Sequence, residues 1–496
     1  MSKPERQHPV AAITKALDVL RGNFITILLV IFIGGGDEDT FLLYWIIGMV
    51  VLLLIWGVLS WLRFTFELNE GELKIEQGVF VRKKLYLTSD RIQVIDISAG
   101  VIQRIFGLVA VEVKTAGSSS KEAKISALSR EKAEELKSKL RQAVNGKEKD
   151  IEHEDRDEPE QKVYSLTTRD LLVAASTSGR MGVALSIVGA AFSQIDQFIS
   201  DEEIYQFIEA NMPQSTSASL VIMSIIGILL ISWLFSFITT LITYYGFSVE
   251  VRKNELLISR GLFERIQLTI PFNRIQAVQV KEGLMRQPFG YVTLVIESAG
   301  YGEKEGNSTV LFPLIDKGKM HGFLKEVLPE YNYEMMQQGA VPPKRALRRY
   351  LIRTLWWTLP VILVAWAAIP YGVYTWFLLP MGLLLGYQQY RDAGICTEGD
   401  TLIISARQLS KKTAIVKRYR MQATQLKQNP FQKRMTLRDF IVHVASGNQG
   451  RSFSVRDIAV QDANRYWQWL AMERQSQPEI QDTPFNHPDA EVSSED

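Results

Sequence analysis

The fold is decided by residues 63–100, RFTFELNEGELKIEQGVFVRKKLYLTSDRIQVIDISAG, and by residues 245–280, YGFSVEVRKNELLISRGLFERIQLTIPFNRIQAVQV. The two stretches align without a gap at an offset of 183 residues, which places Arg91 on Arg274. Residues 398–426, EGDTLIISARQLSKKTAIVKRYRMQATQL, form a third and more divergent copy. Repetition over this length indicates one structural unit that is used three times.

Each copy reads as a series of strands that ends in a helix. Apolar residues alternate after a turn at Leu73 and Ile75 in the first copy and at Leu256 and Ile258 in the second, which is typical of half-buried strands. The predicted closing helices span residues 129–144, 316–328 and 455–472. This order predicts a small antiparallel β-barrel in each unit, with one end closed by the C-terminal helix.

Long apolar segments precede each copy. Leu42–Leu62 and Leu220–Thr243 carry no charged residue and are long enough to cross the ~30 Å of hydrocarbon in a bilayer. Leu355–Pro370 and Tyr371–Tyr387 are shorter and predict a tight hairpin.

The partner helices of the first two hairpins are weaker candidates. Asn23–Ile33 and Met181–Phe192 are apolar but short, and each follows an amphipathic run. We expect each run and its apolar segment to form one continuous helix that starts among the headgroups and then crosses. The alternative is that both segments lie at the interface. An odd number of crossings would place successive β-domains on opposite sides, and we therefore predict six transmembrane helices in three hairpins.

Charge predicts the orientation. Residues 34–40 and 193–219 contain acidic residues and no Lys or Arg, whereas the opposite ends of the hairpins are basic. Lys and Arg are retained on the cytoplasmic side, so both termini and all three β-domains are expected in the cytoplasm of a bacterial cell membrane.

These segments divide the chain into eight parts. They are an amphipathic helix and first hairpin (1–62), a first β-domain (63–145), a charged linker (146–162), a second hairpin (163–244), a second β-domain (245–332), a basic flank and third hairpin (333–389), a third β-domain (390–473) and an acidic tail (474–496). The composition of the linker and of the tail predicts flexibility and disorder.

The repeated unit resembles a known family. Two membrane helices followed by a strand-rich domain with glycine, then (D/N)-R-I-Q, then F-G and (S/T)-A-G, are similar to the membrane-flanked bacterial pleckstrin-homology (PH) domain family. The resemblance covers nearly the whole chain. It implies a PH-like barrel in each unit, no established catalytic residue, and a smaller single-unit membrane protein as a partner.

The residues themselves do not point to enzymatic chemistry. The five histidines are dispersed, Cys396 is the single cysteine, and no phosphate-binding, nucleophile-elbow or dinucleotide motif occurs. We therefore expect no catalytic residue, metal or cofactor. The formal net charge of +2 also lacks the strongly basic signature of a nucleic-acid-binding protein.

A set of repeated polar positions remains as candidate contacts with lipid headgroups or with a partner. They are Arg82, Lys83, Lys84, Arg91, Gln93, Arg274, Gln276, Lys411, Lys412, Arg420 and Gln422. On the structural interpretation, the arginines pack on the barrel and hold loop carbonyls or a domain contact. On the functional interpretation, they bind phosphate or carboxylate groups.

Three functions are compared. The first is a non-enzymatic membrane scaffold, with its β-domains docked on anionic lipids of the inner leaflet and assembled with the smaller partner; self-association stays open. The resemblance suggests a role in envelope maintenance or in tolerance of membrane-active peptides. The second is a lipid-binding or lipid-moving protein. The third, a transporter or channel, is disfavoured because the predicted spans hold no ionisable residues away from their ends.

Overall fold

The computed structural model describes residues 4–22, 39–69, 72–88, 92–115, 123–145, 162–179, 181–192, 206, 217–299, 308–333, 339–368, 372–446 and 450–472. The predicted segment Asn23–Ile33, the linker up to residue 161 and the acidic tail lie outside these residues.

Every unit consists of six strands and a closing helix. The first unit contains β1 (Thr65–Asn69), β2 (Glu72–Gln77), β3 (Lys83–Thr88), β4 (Ile92–Ala99), β5 (Leu108–Thr115), β6 (Ala123–Ser129) and the helix Arg130–Asn145. The second contains β7 (Lys162–Ser165), which is an extra strand, then β8 (Ser248–Val251), β9 (Glu255–Arg260), β10 (Arg265–Pro271), β11 (Ile275–Glu282), β12 (Tyr291–Ser298), β13 (Thr309–Asp316) and the helix Lys317–Val327. The third contains β14 (Gly394–Glu398), β15 (Thr401–Arg407), β16 (Lys411–Lys417), β17 (Met421–Lys427), β18 (Leu437–Val444), β19 (Arg451–Ala459) and the helix Val460–Met472.

The closing helix of the third unit begins later than predicted. Residues 455–459 belong to β19, which pairs with β18, so the helix starts at Val460 and the prediction of a start at Val455 is wrong. The apolar residues Val455 and Ile458 are buried by this pairing, and the sequence pattern does not distinguish it from a helical turn.

The sheets continue from one unit into the next. The described strands form four sheets, in the orders β1-β2-β3, β6-β5-β4-β10-β9-β8-β7, β13-β12-β11-β16-β15-β14 and β17-β18-β19. Within a unit the third and fourth strands do not pair with each other, so each PH-like barrel is open at this corner. Instead, β4 pairs with β10 and β11 pairs with β16, both antiparallel. The sequence did not predict this pairing between units.

The two joints use the same register. Ala99 lies opposite Arg265 in the first joint, and Glu282 lies opposite Lys411 in the second. These residues occupy identical positions of the repeat, since the second unit follows the first by 183 residues and the third follows the second by 146. The second joint is longer and has pairs from Glu282–Lys411 to Ala277–Val416.

The hydrophobic cores cross the second joint. Ile403 and Ile415 of the third unit belong to the core of the second unit, and Ala277 of the second unit belongs to the core of the third. Removing such apolar surface from water stabilises the contact by about 25 cal/mol per Å². The second and third units are therefore joined by shared core residues as well as by backbone hydrogen bonds.

Apolar helices precede each unit. They are Val10–Gly22, Asp39–Leu62, Thr168–Ser176, Met181–Phe192, Ser217–Tyr244, Leu347–Ala368 and Leu378–Asp392. Two described segments are long and apolar enough to cross a membrane, Met223–Tyr244 and Lys344–Ala368, and Val51–Leu62 is a shorter apolar helix. The count of six crossings stays a prediction.

The helix that leads into the second hairpin is broken, and the prediction of one continuous helix is wrong there. Thr168–Ser176 ends before a turn at residues 177–179. Two side chains hold this turn: the indole of Trp233 donates to the Ser176 carbonyl at 3.1 Å, and the Thr240 hydroxyl donates to the Ser178 hydroxyl at 2.9 Å. Hydroxyl side chains compete with the helical hydrogen bonds of the backbone, which favours a break at this sequence.

Candidate interaction surfaces

The hairpin between the second and third strands of each unit carries an exposed apolar side chain. Phe80, Phe263 and Leu409 occupy the same position of the repeat and are 85%, 55% and 61% exposed. In the first two units the hairpin requires glycine, because Gly78 and Gly261 have φ angles of +116° and +110°, and an added Cβ would lie 2.0 Å from a backbone oxygen. We call these three hairpins the apolar tips.

The apolar tips lie beside the ends of the preceding apolar helices. The contacts are the Phe80 ring with the Trp56 ring (centroids 5.5 Å apart), the Leu262 N–H donating to the Ile242 carbonyl (2.9 Å), and the Gln389 side chain donating to the Gln408 carbonyl (2.9 Å). Each unit therefore presents an apolar side chain at the level where its helix meets the domain.

A second repeated loop, between the fourth and fifth strands, is also apolar. Phe106 and Phe289 share a repeat position, as do Met285 and Phe431, and all four are more than half exposed. Large exposed apolar side chains that recur at one place mark an interaction surface rather than scattered surface residues.

The predicted cations directly follow the apolar tips. Arg82, Lys83 and Lys84 are exposed in the first unit, where Lys84 lies 3.3 Å from Glu76. Lys411 and Lys412, at the positions of Arg82 and Lys83, are half-buried. The third unit thus places its copies of these cations in the joint.

The joint between the second and third units is charged at one edge. Lys411 lies 3.8 Å from Glu282, which pairs with it across the strands. Burial, with a contribution from Lys412, lowers the pKa of Lys281 to about 8, and burial also lowers the pKa of Lys412. Lys281 and Lys412 face each other in the ladder, so this joint tolerates a like-charge pair.

A buried carboxylate also ties these two units together. Glu297 of β12 is fully buried and accepts hydrogen bonds from Gln279 and, at 2.5 Å each, from the hydroxyls of Ser308 and Ser446. Arg451 of the third unit lies 3.8 Å away. Because a buried charge must be paired or hydrogen-bonded, this network fixes the relative position of the two units.

The predicted arginine–glutamine pairs are placed differently in each unit. Arg91 lies outside the described residues, and for Gln93 the structure describes the backbone but not the side chain. In the second unit the buried Gln276 side chain donates to the carbonyl of the half-buried Arg274 at 3.2 Å. This bond involves the main chain of Arg274 and not its guanidinium, so both interpretations of the arginine stay predictions.

In the third unit, Arg420 stacks on Tyr419, with its guanidinium carbon 4.8 Å from the ring centroid. The hydroxyl of Tyr419 donates to Glu330 of the second unit at 3.1 Å, which is another contact between units. Gln422 is exposed on β17, unlike its buried equivalent Gln276. A headgroup contact for these residues stays a prediction.

The sequence did not predict the contact that ties the third domain to its hairpin. Asp457 is fully buried in β19, and Arg349 Nε donates to its Oδ1 at 2.7 Å while Arg353 donates to its Oδ2. Gln432 Nε2 also donates to Oδ1, at 2.9 Å. Asp439 accepts the backbone N–H of Asp457 at 2.8 Å, and burial raises the pKa of Asp439. We call this cluster the arginine clasp.

The second unit has a related contact through Arg286. This buried guanidinium donates to the Ala174 carbonyl at 3.1 Å and to the Thr177 hydroxyl at 3.2 Å, both near the break that leads into the second hairpin. It also donates to the Pro313 carbonyl at 2.6 Å. Arg286 and Gln432 share one position of the repeat. Arg286 contacts the helix directly, whereas Gln432 acts through Asp457, the residue that pairs with Arg349 and Arg353. An alignment of the loops that follow the fourth strands of the second and third units would have shown that these two residues are equivalent.

A cavity of about 330 Å³ lies between the third hairpin and the third domain. Its wall combines apolar and cationic side chains, including Trp357, Leu385, Arg353, Arg407 and Arg456. Arg407 is paired with Asp392, whereas Arg456 is exposed. Within the described ranges, no group of three His, Cys, Asp or Glu side chains is placed to hold a metal ion.

Three PH-like units, each attached to apolar helices, define a transmembrane protein with bacterial PH domains. Comparison with family models supports this class: the bacterial PH domain model matches residues 20–144, 191–330 and 350–474, and the chain belongs to this family. The chain is also 35% identical over 494 residues to the UPF0699 transmembrane protein YdbT of Bacillus subtilis (strain 168), which covers 96% of this chain and 99% of that protein. No solved structure matches.

Proposed function

We propose that this protein is a non-enzymatic membrane scaffold whose PH-like units dock on the cytoplasmic leaflet of the bacterial cell membrane. The observation that carries the proposal is the recurrence of the apolar tips. Each tip lies beside the end of an apolar helix. Exposed cations follow it within a few residues in the first two units, Arg82 to Lys84 and Arg265, whereas the equivalent lysines of the third unit lie in the joint. Apolar side chains that enter the headgroup zone, with cations beside them, are typical of surfaces that bind anionic membranes.

The one-sided arrangement has independent support. The strand pairing between units supports a location of all three units on the same side of the bilayer. The acidic loops and basic flanks of the sequence favour the cytoplasm as that side. The proposal also includes assembly with a smaller, single-unit membrane protein and a role in envelope maintenance or tolerance of membrane-active peptides, which the family resemblance suggests.

Fluorescence quenching by lipid tests the docking. A polarity-sensitive dye on Phe263→Cys, in a Cys396→Ala background, is read in vesicles containing phosphatidylglycerol with nitroxide-labelled acyl chains. We expect quenching and a blue-shifted emission at this tip. A dye on Lys325→Cys, on the exposed face of the closing helix, should stay unquenched. Equal emission and quenching at both sites would refute docking of the tip.

Co-purification tests the partner. The full chain, tagged and extracted in mild detergent, is expected to bring a single-unit PH-domain membrane protein with it at a fixed ratio. Purification without any such protein, from cells that express both, would contradict this part of the proposal.

The second candidate function is lipid binding or lipid movement, and the cavity beside the third hairpin favours it. An anionic headgroup would meet Arg456, and an acyl chain would meet Trp357 and Leu385. We expect Arg456→Glu to lower the amount of co-purifying anionic lipid several-fold, since one cation near the surface contributes ~1 kcal/mol. Arg465→Glu, an equal charge change on an exposed position away from the cavity, is the control. Equal lipid content in both variants would exclude this function for the cavity.

A further inference from the structure

Two edge strands of this chain, one in the first unit and one in the third, are of the types that pair with each other between units. Inside the chain, a third strand (β10 or β16) always pairs with the fourth strand of the preceding unit (β4 or β11). Among the described residues, two strands of these types have no such neighbour: the third strand of the first unit, β3, and the fourth strand of the third unit, β17.

Exposure agrees with an open edge at both ends. Tyr86 of β3 is 58% exposed, whereas its repeat equivalents Thr269 and Ile415 are 3% and 0% exposed. Ala423 of β17 is exposed, whereas its equivalent Ala277 is fully buried in the core of the next unit. The missing neighbour accounts for this difference, because the second joint pairs and buries both Ile415 and Ala277.

We propose that β17 of one copy of this protein pairs antiparallel with β3 of a second copy, so that the joint between units is repeated between chains. A second copy is the occupant because one chain carries both halves of the joint, a free third strand and a free fourth strand, and strands of these two types pair twice within it in one register. The inference does not depend on lipid docking or on the smaller partner.

The internal joints fix the register of this contact. Carrying the pairing of Val278 with Ile415 to the ends of the chain places Tyr86 opposite Thr424. The same register places Lys83 opposite Lys427, at the positions of Lys412 and Lys281. Exposed lysines commonly protect edge strands from pairing, but the second joint accommodates a lysine pair at this position.

The new joint is more polar than the second internal joint. The face of the first unit that would meet the neighbour carries Glu67 and Lys74, where the third unit has Cys396 and Ile403. Little apolar surface is therefore buried outside the strand pair, and the contact is reversible. A polar face also keeps the edge soluble while it is unpaired.

The symmetry of the contact predicts the form of the assembly. A head-to-tail contact between identical chains is heterologous, and it generates rings when the rotation closes or filaments when it does not. Both chains are held in one bilayer by their helices, so the assembly grows in the plane of the membrane.

Cysteine cross-linking in membranes tests the contact. Two differently tagged full-length copies are co-expressed, one with Tyr86→Cys and one with Thr424→Cys, both in a Cys396→Ala background to remove the native cysteine. Opposed residues of an antiparallel pair have Cα atoms ~4.5–5.5 Å apart, within the range of a disulfide. We expect mild oxidation to give a dimer that carries both tags.

The matched control shifts the register by one residue. Tyr86→Cys with Gln425→Cys places the two thiols on opposite faces of the ladder, and its yield should be at least several-fold lower. No dimer, or equal yields from both pairs, would overturn the proposal. The proposal would also be overturned if the Thr424→Cys copy captured a smaller protein and not a second copy of this chain, because β17 would then have a different partner.

Discussion

Replacing Asp457 with Asn should release the third domain from its hairpin. The substitution keeps the size of the side chain and the tolerance for the positive φ of +56° at this position, and it removes the charge that pairs with Arg349 and Arg353. Two half-buried guanidinium groups would then face a neutral amide. The variant therefore isolates the ionic part of the arginine clasp.

The expected loss follows from burial. Removing one partner of a buried ion pair costs roughly 3–5 kcal/mol when the remaining charge stays buried. The Asp457 carboxylate is 0% exposed, but the two arginines are 18% and 27% exposed, so water compensates part of the loss. We expect a decrease of about 2–3 kcal/mol in the free energy of unfolding of the third domain, which is about 10 °C or more in its melting temperature.

Thermal unfolding in detergent measures this loss by tryptophan fluorescence; of the ten tryptophans, Trp467 and Trp469 lie in the closing helix of the third domain, and their Phe variants identify its part of the signal. The control is Asp400→Asn, which removes one charge from an exposed turn of the same domain and should stay within ~0.5 kcal/mol of the parent protein. An Asp457→Asn variant as stable as the control would refute the reasoning that the clasp holds domain and hairpin together.

Three further predictions concern other parts of the chain. Because burial lowers the pKa of Lys281 to about 8 from 10.5, its unfavourable contribution to the second joint disappears as the pH rises from 8 to above 10.5. Thermal unfolding should show added stability over this window, and Lys281→Met should reduce that dependence; an unchanged dependence would contradict the assignment to Lys281. Gly261→Ala should lower the free energy of unfolding by at least 1–3 kcal/mol, because Gly261 has a positive φ and an added Cβ would meet a backbone oxygen. The control Gly322→Ala, in a helix with open space around it, should be neutral or stabilising by up to ~1 kcal/mol. Equal melting temperatures of the two variants would contradict this. Arg286→Met should expose the turn at residues 177–179 to limited proteolysis because its bonds to Ala174 and Thr177 are lost, and an unchanged cleavage pattern would count against a link between this arginine and the second hairpin.

The repeat and most strands could be predicted from the sequence. Alternation at Leu73 and Ile75, or at Leu256 and Ile258, reports which face of a strand is buried, and these four side chains are buried as the pattern predicts. The recurrence of Arg274 and Arg420 at one position of the repeat aligned the second unit with the third, and this alignment predicted where the units begin and end. The membership of the bacterial PH domain family was predicted from the same residues and is confirmed.

The joints could not be predicted because alternation does not identify the partner of a strand. The pattern of β11 would be the same if it paired within its own unit, and a buried strand of a shared sheet reads like a buried strand of a closed barrel. The residues Ile415 and Ala277 look like core residues of their own units, and only the three-dimensional structure shows that they enter the core of the neighbour.

The arginine clasp was missed for a different reason. Asp457 lies in a strand whose register shifts between Arg438 and Phe440, and such irregularities leave no periodic signal in a sequence. In the sequence, Arg349 and Arg353 belong to the basic flank before the third hairpin, and such a flank predicts membrane orientation. Both roles are compatible, because the two side chains lie at the start of a helix that is long and apolar enough to cross the membrane.

The central claim is that strand pairing holds all three units on one side of the membrane. Labelling of single cysteines with a membrane-impermeant maleimide tests it most directly, using Lys139→Cys, Lys325→Cys and Arg465→Cys in a Cys396→Ala background, one exposed site in each unit. The account predicts that all three sites are protected in intact cells and labelled in inverted membrane vesicles. Labelling of any one site from outside intact cells, with the others protected, would contradict it.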